Sequence, residues 1–228
     1  MCIFAKNYGP MAKKAVLVGA SGLIGSLLLD ILLQQSEYTE VLVLTRKEIP
    51  IKHAKLNQLV IDFDHLADYS KSITGDAIFC CLGTTQKKTP DLSVYRKIDH
   101  DYPLQLAQIG HKNGVSQYHI VSALGANATA SNFYLKTKGQ VEEDLKKEGL
   151  QRLCIYQPAF LTGDRKESRT VEKILIPLMK LIDPLLLGGL KKFRSIAAAT
   201  VAQAMFKQSL ITQEGVFVYP SDKITELT

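Results

Sequence analysis

The chain has 228 residues, of which 46% are hydrophobic and 22% are charged, and its formal net charge is +6. A chain of this length and composition buries the core of one domain, which excludes wholesale disorder. Its lysines and arginines never form a run longer than two and do not alternate with aromatic residues. A nucleic-acid-binding surface is therefore not predicted.

Short apolar runs alternate with segments of helical periodicity over the first two thirds of the chain. We predict strands at 15–19, 40–45, 58–61, 76–82, 118–122 and 151–157, and helices at 22–34, 93–112 and 132–148. Continuous apolar strands separated by helices are typical of a parallel sheet covered on both faces. The predicted fold class is therefore α/β, a doubly wound Rossmann-type sheet.

After Pro158 the alternation of strands and helices loosens. We expect one domain, with a dinucleotide-binding core at 13–160 and a small region at 161–228 that covers the substrate or forms an interface. This region would contain a helix at 196–210 and a strand at 216–219. Prolines and charges interrupt its apolar stretch 174–190, so a transmembrane helix is not predicted. We expect the stretch to be core or the interface of a homodimer, with loose association with a membrane surface as a further alternative.

The four cysteines predict reduced, buried thiols, since none belongs to a C-x-x-C pair. Cys80 and Cys81 are adjacent in a predicted strand, so their side chains should point to opposite faces. The beginning of the sequence lacks the long apolar segment of a signal peptide. These observations lead us to expect a cytoplasmic protein.

A glycine-rich turn separates the first predicted strand from the first helix, with the spacing G-x-x-G-x-x-G. Gly19 would permit the tight turn, Gly22 the approach of a pyrophosphate, and Gly25 close packing of the helix on the sheet. The phosphates would meet free N–H groups at the positive end of the helix dipole. The candidate cofactor-binding residues of this turn are Gly19, Ser21, Gly22, Leu23, Ile24 and Gly25.

The end of the second strand predicts the cofactor. A site specific for NAD usually carries an acidic residue there, whereas this strand is followed by Arg46 and Lys47. A guanidinium binds a 2′-phosphate through charge-assisted hydrogen bonds, which favours NADP(H). Glu48 nearby keeps NAD(H) as the alternative, with Arg46 then a solvated surface charge.

Tyr134 and Lys138 lie four residues apart at the start of a predicted helix and so share one face. An ammonium beside a tyrosine lowers the pKa of the phenol, which suits proton exchange with a carbonyl or alcohol oxygen. Ser122 ends the fifth strand at the ligand-binding edge and could hydrogen-bond the same oxygen. The alternative for a Tyr-x-x-x-Lys pair is a solvated helix face.

Two further polar clusters have simpler interpretations. Asp99-His100-Asp101 has no matching group of metal ligands elsewhere, so we predict helix capping and surface hydrogen bonds, and no metal site. The segment Gly163–Arg169 would either shape the substrate pocket or form structural ion pairs.

Seven motifs together resemble the atypical short-chain dehydrogenases/reductases, in particular the Tat-interactive-protein-like oxidoreductases. They span most of the chain. The motifs are GASGLIG (19–25), VIDFDHL (60–66), CCLGTT (80–85), IDHDY (98–102), VSALGA (121–126), SNFYLKTKGQVE (131–142) and QPAFLTGDRKESR (157–169).

The resemblance implies an NADP(H)-dependent oxidoreductase that transfers hydride to or from a small carbonyl or alcohol substrate. The resemblance implies that Tyr134, Lys138 and Ser122 are catalytic. It implies that Asp62 and Phe63 contact the adenine, and that Leu82, Gly83 and Thr84 pack under the cofactor. Lys138 would also bind the nicotinamide ribose, and Pro158 would flank the nicotinamide. Relatives often carry a second serine where this chain has Ala123. Because relatives also include regulators, the alternative is an NADPH-binding regulator without turnover that acts through a protein partner.

Overall fold

The computed structural model describes residues 12–163, Asp183 and residues 186–228. The strands within these residues are β1 (Lys13–Val18), β2 (Tyr38–Thr45), β3 (Leu56–Val60), β4 (Ala77–Cys80), β5 (Gln117–Val121), β6 (Arg152–Gln157), β7 (Leu161–Thr162), β8 (Ile196–Ala197) and β9 (Gly215–Pro220). Seven of them form one parallel sheet in the order β3-β2-β1-β4-β5-β6-β9, and β7 pairs with β8 separately. The sheet order reverses between β1 and β4, where open α/β sheets bind ligands.

Helices cover both faces of the sheet. They are α1 (Leu23–Gln34), α2 (Leu92–Arg96), α3 (Tyr102–Lys112), α4 (Phe133–Lys147), α5 (Ala198–Ser209) and α6 (Ser221–Glu226), with 3₁₀ helices at Phe63–Ser72 and Gly188–Phe193. One hydrophobic core lies under α1 and α5 and includes Leu28 and Met205. The other lies under α3 and α4 and includes Leu106 and Val141. This architecture confirms the predicted doubly wound Rossmann-type fold.

The helical segment predicted at 93–112 is interrupted. A π turn (Lys97–Asp101) lies between α2 and α3, and the Tyr102 N–H donates to the Lys97 carbonyl five residues earlier. The wider turn changes the helical register, and Asp99 and His100 are buried. The prediction that this triplet only caps a helix and bonds at the surface is therefore wrong for these two residues.

The helix and strand predicted after residue 190 are present, and they complete the Rossmann layers. Strand β9 pairs with β6, and α5 contributes Val201 and Met205 to the core that it shares with α1. A substrate-covering role for 161–228 stays a prediction. Most of the apolar stretch 174–190 and of the segment Gly163–Arg169 lies outside the described residues.

Candidate functional site

The glycine turn after β1 depends on two glycines for its own packing. Gly19 has φ +81°, and a Cβ there would lie 2.5 Å from the Cys81 carbonyl oxygen. A Cβ on Gly25 would lie 2.1 Å from the Gly19 carbonyl oxygen. Any larger residue at either position would push backbone apart, so the sequence places α1 directly against the turn and the sheet.

Gly22 has a different reason to be glycine. Its φ of −81° suits any residue, and a Cβ would meet only the Gly19 oxygen, at 3.2 Å. Gly22 and Ser21 are exposed, Leu23 is half-buried, and Ile24 is buried. Helix α1 has no side-chain cap and no acidic residue in its first turn. An exposed, uncapped helix N-terminus of this kind fits a pyrophosphate, and the binding of one at this turn stays a prediction.

The end of β2 presents Arg46 to solvent, next to a second group of polar residues. Burial and a hydrogen bond to Asp64 raise the pKa of Tyr102 to about 12, and nearby Arg46 opposes that rise. Phe63 is buried, with its ring centroid 5.5 Å from that of Tyr102. Asp62 is exposed and accepts the Asp64 N–H at 3.0 Å. Arg46 and the two residues assigned to adenine therefore all lie around Tyr102 and Asp64.

The loop after β4 connects the sheet to the π turn. Leu82 packs against the core under α3 and α4, whereas Gly83 is exposed. The Thr84 N–H donates to Asp99 Oδ2 at 2.9 Å. A Cβ on Gly83 would lie 3.5 Å from Asp99 Oδ1 and 3.9 Å from Lys138 Nζ. Of the three loop residues predicted to pack under a cofactor, Gly83 therefore lies beside Lys138, and Thr84 is linked to Lys138 through Asp99.

The structure places Tyr134 and Lys138 in the first two turns of α4, whose N-terminus is capped by Asn132. Tyr134 is 39% exposed and Lys138 only 4% exposed. Burial acts to lower the pKa of Lys138, but the charges of Asp99 and Tyr134 outweigh it and raise that pKa. This Tyr134–Lys138 pair combines an accessible phenol with a buried ammonium, an arrangement that can exchange a proton with a bound molecule.

Asp99 is a residue of the site that sequence reasoning missed. Its carboxylate is fully buried and lies 2.9 Å from Lys138 Nζ, with Thr84 as its second partner. The available signal was its place in the IDHDY motif, but periodicity alone does not predict the π turn that buries it.

Ser122 bonds to a buried carboxylate rather than to the first turn of α4. Its hydroxyl donates to Glu142 Oε1, and Gln157 Nε2 donates to both oxygens of the same carboxylate at 2.9 Å. Glu142 lies two helical turns beyond Tyr134, about 12 Å along the axis. Burial raises the pKa of Glu142, against the hydrogen bonds from Ser122 and Gln157. The network ties β5, α4 and β6 together, and a contact between Ser122 and substrate stays a prediction.

Pro158 follows this network at the carboxyl end of β6. It is buried, and its carbonyl accepts the Leu124 N–H at 3.0 Å. The ends of β5 and β6 are thereby held together where the resemblance implies the nicotinamide.

We expect Ser122→Ala to lower the free energy of unfolding by about 1–3 kcal/mol, because it leaves a buried carboxylate with one donor fewer. Urea denaturation measures this change. Ser36→Ala is the matched control, since Ser36 donates to Glu37 at 3.4 Å on the surface and its loss should change little. Equal stability of the two variants would contradict the Ser122–Glu142 hydrogen bond.

The described part of the chain offers few other sites. The three described cysteines are free, and Cys80 and Cys81 contact opposite cores, as the sequence predicted. Among the described residues, no cluster of three or more His, Cys, Asp or Glu could hold a metal ion. None of the helices described is both long and apolar enough to span a membrane.

Comparison with known proteins identifies relatives of the whole Rossmann unit. The model of the NAD(P)H-binding family matches residues 19–209. The protein HTATIP2 of Rattus norvegicus is 34% identical over 164 residues, which cover 70% of this chain and 67% of that protein. The protein fmp52, mitochondrial, of Aspergillus clavatus is 29% identical over 219 residues, 93% of each chain.

Solved structures share the fold. The enzyme WbmH of Bordetella bronchiseptica, in complex with NAD⁺, matches with a TM-score of 0.71 at 17% identity, covering 94% of this chain and 79% of that one. The oxidoreductase ylbE of Lactococcus lactis matches with a TM-score of 0.63 at 20% identity, covering 93% and 95%. At these identities the likeness extends to the fold alone.

The expected cytoplasmic location is wrong. The fungal relatives from Candida albicans, Aspergillus clavatus and Eremothecium gossypii are all named mitochondrial. The expectation failed because thiol pairing and secretory signal patterns bear only on export through the secretory route.

Proposed function

This chain belongs to the NAD(P)H-binding family, among its Tat-interactive-protein-like atypical short-chain dehydrogenases/reductases, and from that membership we propose an NADP(H)-dependent oxidoreductase. Its substrate would be a small carbonyl compound or the corresponding alcohol. The observation that carries this proposal is the Tyr134–Lys138 pair, an exposed phenol one helical turn from a buried ammonium. The pair lies beside the loop after β4, at the sheet edge where ligands of such folds bind.

The residues of the turn after β1 fit a dinucleotide. Gly22 leaves the helix start open, and that start has no side-chain cap. A Cβ on Gly22 would meet the Gly19 oxygen at 3.2 Å, a tight contact but much longer than the 2.1 Å at Gly25. The pyrophosphate would lie against Gly19, Ser21, Gly22, Leu23, Ile24 and Gly25. The adenine end would lie near Arg46, Asp62 and Phe63, and the nicotinamide end near Leu82, Gly83, Thr84 and Pro158.

When bound, the nicotinamide supplies or accepts the hydride. Tyr134 would give its proton to the carbonyl oxygen in reduction and remove the hydroxyl proton in oxidation. Lys138 would hold the nicotinamide ribose, and its positive charge would stabilise the phenolate. Ser122 would hydrogen-bond the substrate oxygen only if its hydroxyl leaves Glu142.

We expect Arg46→Ala to weaken NADPH binding by about 10–100-fold, because it removes charge-assisted hydrogen bonds to the 2′-phosphate. NADH, which lacks that phosphate, should bind almost as before. Isothermal titration calorimetry of each cofactor measures both affinities. Lys52→Ala, an exposed cation in the following loop, is the matched control.

Two outcomes would contradict this cofactor assignment. Equal loss of NADPH and NADH affinity in the Arg46 variant would remove the 2′-phosphate contact and leave NAD(H) as the cofactor. If the folded, ligand-free protein binds neither cofactor, the oxidoreductase proposal is wrong and only the Rossmann fold is shared with the relatives.

A cofactor-binding regulator is the second candidate, favoured by one observation. The only serine hydroxyl predicted to assist Tyr134 donates to Glu142, and Ala123 follows it. A regulator would bind NADPH tightly, leave a broad panel of carbonyl compounds unreduced, and bind a protein partner with an affinity that depends on NADPH. NADPH-dependent reduction of any member of that panel excludes this candidate.

A further inference from the structure

Asp99 is a buried anion in direct contact with the lysine of the Tyr134–Lys138 pair. We propose that Asp99 is a positioning residue, which anchors Lys138 and sets how readily Tyr134 releases its proton. The consequence for catalysis rests on the proposed function. The effect on Tyr134 is a property of the folded protein and is measurable without a substrate.

One oxygen of the Asp99 carboxylate forms an ion pair, and the other accepts a hydrogen bond from a different part of the chain. Oδ1 lies 2.9 Å from Lys138 Nζ on α4, and Oδ2 accepts the Thr84 N–H at 2.9 Å. Asp99 itself lies in the π turn (Lys97–Asp101), a geometry found frequently at functional sites. One carboxylate therefore holds the ammonium in a fixed position relative to the loop after β4.

The ammonium of Lys138 is left with limited hydrogen-bonding capacity. It has three donors. One faces Asp99, and a second donates to the Val121 carbonyl at 3.3 Å. The third is available to Tyr134 or to a hydroxyl of a bound cofactor. By holding the ammonium at ion-pair distance, Asp99 restricts the directions in which Lys138 can act.

Asp99 forms an ion pair with Lys138 at 2.9 Å, and its charge has the largest effect among the titratable groups that interact with this lysine. The others are Tyr134 itself, Cys80, Cys81 and Glu142. Burial raises the pKa of both thiols, so they are neutral at physiological pH. Glu142 lies one turn further along α4 and bonds to Ser122 and Gln157. Tyr134 therefore faces an ammonium whose charge is largely offset by Asp99.

Because the two charges offset each other, removing one or the other should change the pKa of Tyr134 in opposite directions. Asp99→Asn removes the anion and leaves the full effect of the ammonium, so the pKa of Tyr134 should fall by about 1. Lys138→Met removes the cation and leaves the anion, so that pKa should rise. The double variant, Asp99→Asn with Lys138→Met, contains neither charge of the ion pair. The pKa of Tyr134 in it should lie between the values in the two single variants.

The experiment is a pH titration of the full chain labelled with ¹³Cζ-tyrosine, followed by NMR. Comparison with Tyr134→Phe assigns the Tyr134 signal. Asp101→Asn is the matched control, because Asp101 lies in the same π turn but its half-exposed carboxylate pairs with His100 and Arg96. We expect it to leave the Tyr134 titration unchanged.

An unchanged Tyr134 titration in Asp99→Asn would overturn the proposal, as would an equal change in Asp101→Asn. If Asp99→Asn does not fold, Lys138→Met is compared with the double variant. The pKa of Tyr134 should then be lower in the double variant than in Lys138→Met, and equal pKa values would overturn the proposal. Because none of these measurements involves hydride transfer, a protein without turnover would refute the proposed function and leave the result on Asp99 intact.

Discussion

Tyr134→Phe is expected to lower turnover by about two to four orders of magnitude, which is the usual contribution of a positioned proton donor. The substitution removes one oxygen from a side chain that is 39% exposed at the start of α4, so the fold should be unaffected. NADPH affinity should change little, because the phenol serves the substrate oxygen and Lys138 serves the ribose.

Two measurements separate the effect on turnover from the effect on cofactor affinity. They are steady-state kinetics with the best carbonyl substrate found in a panel, and calorimetric titration of NADPH. Tyr69→Phe is the matched control, a half-buried tyrosine of the Phe63–Ser72 helix with no role in the proposed reaction. Full activity of the Tyr134 variant would remove this residue from the mechanism. A parallel loss of cofactor affinity would instead show that the phenol binds the cofactor.

Gly25→Ala is expected to lower the free energy of unfolding by about 3 kcal/mol, because its Cβ meets backbone rather than a flexible side chain. The atom would lie 2.1 Å from the Gly19 oxygen and 2.8 Å from the Gly19 carbonyl carbon. Helix α1 must then move away from the turn, which also displaces the N–H groups offered to phosphate. NADPH affinity should therefore fall by about 100-fold or more.

Gly22→Ala in the same turn is the informative comparison. Its Cβ would meet the Gly19 oxygen at 3.2 Å and nothing else within 4 Å. We expect a change in unfolding free energy of less than about 1 kcal/mol, but about 10-fold weaker NADPH binding, because the methyl group occupies the space of the pyrophosphate. Urea denaturation and calorimetry distinguish the two variants. If Gly22→Ala binds NADPH normally, the cofactor does not approach this turn closely.

Local sequence patterns predicted most of the sheet. Apolar runs such as Ala15–Val18 are continuous because the central strands are buried on both faces. The pattern located six of the seven sheet strands before residue 160 and the last one at 216–219. It missed the π turn, because a single wider turn leaves the apolar spacing on either side nearly intact.

The family membership was also predictable, and the family match at residues 19–209 confirmed it. Short motifs such as GASGLIG fix backbone conformation within a few residues, so they are recognisable without tertiary information. The roles assigned to Tyr134, Lys138 and Ser122 stay predictions, but their surroundings are now defined.

The sequence by itself determined the Rossmann fold, the glycine turn and the spacing that puts Tyr134 and Lys138 on one face of α4. These features depend on residues near one another in the chain. Only the tertiary structure decided that Lys138 pairs with Asp99 and that Ser122 donates to Glu142. Both contacts join different elements around the sheet edge, and their buried charges are stable only where packing brings a partner to each of them.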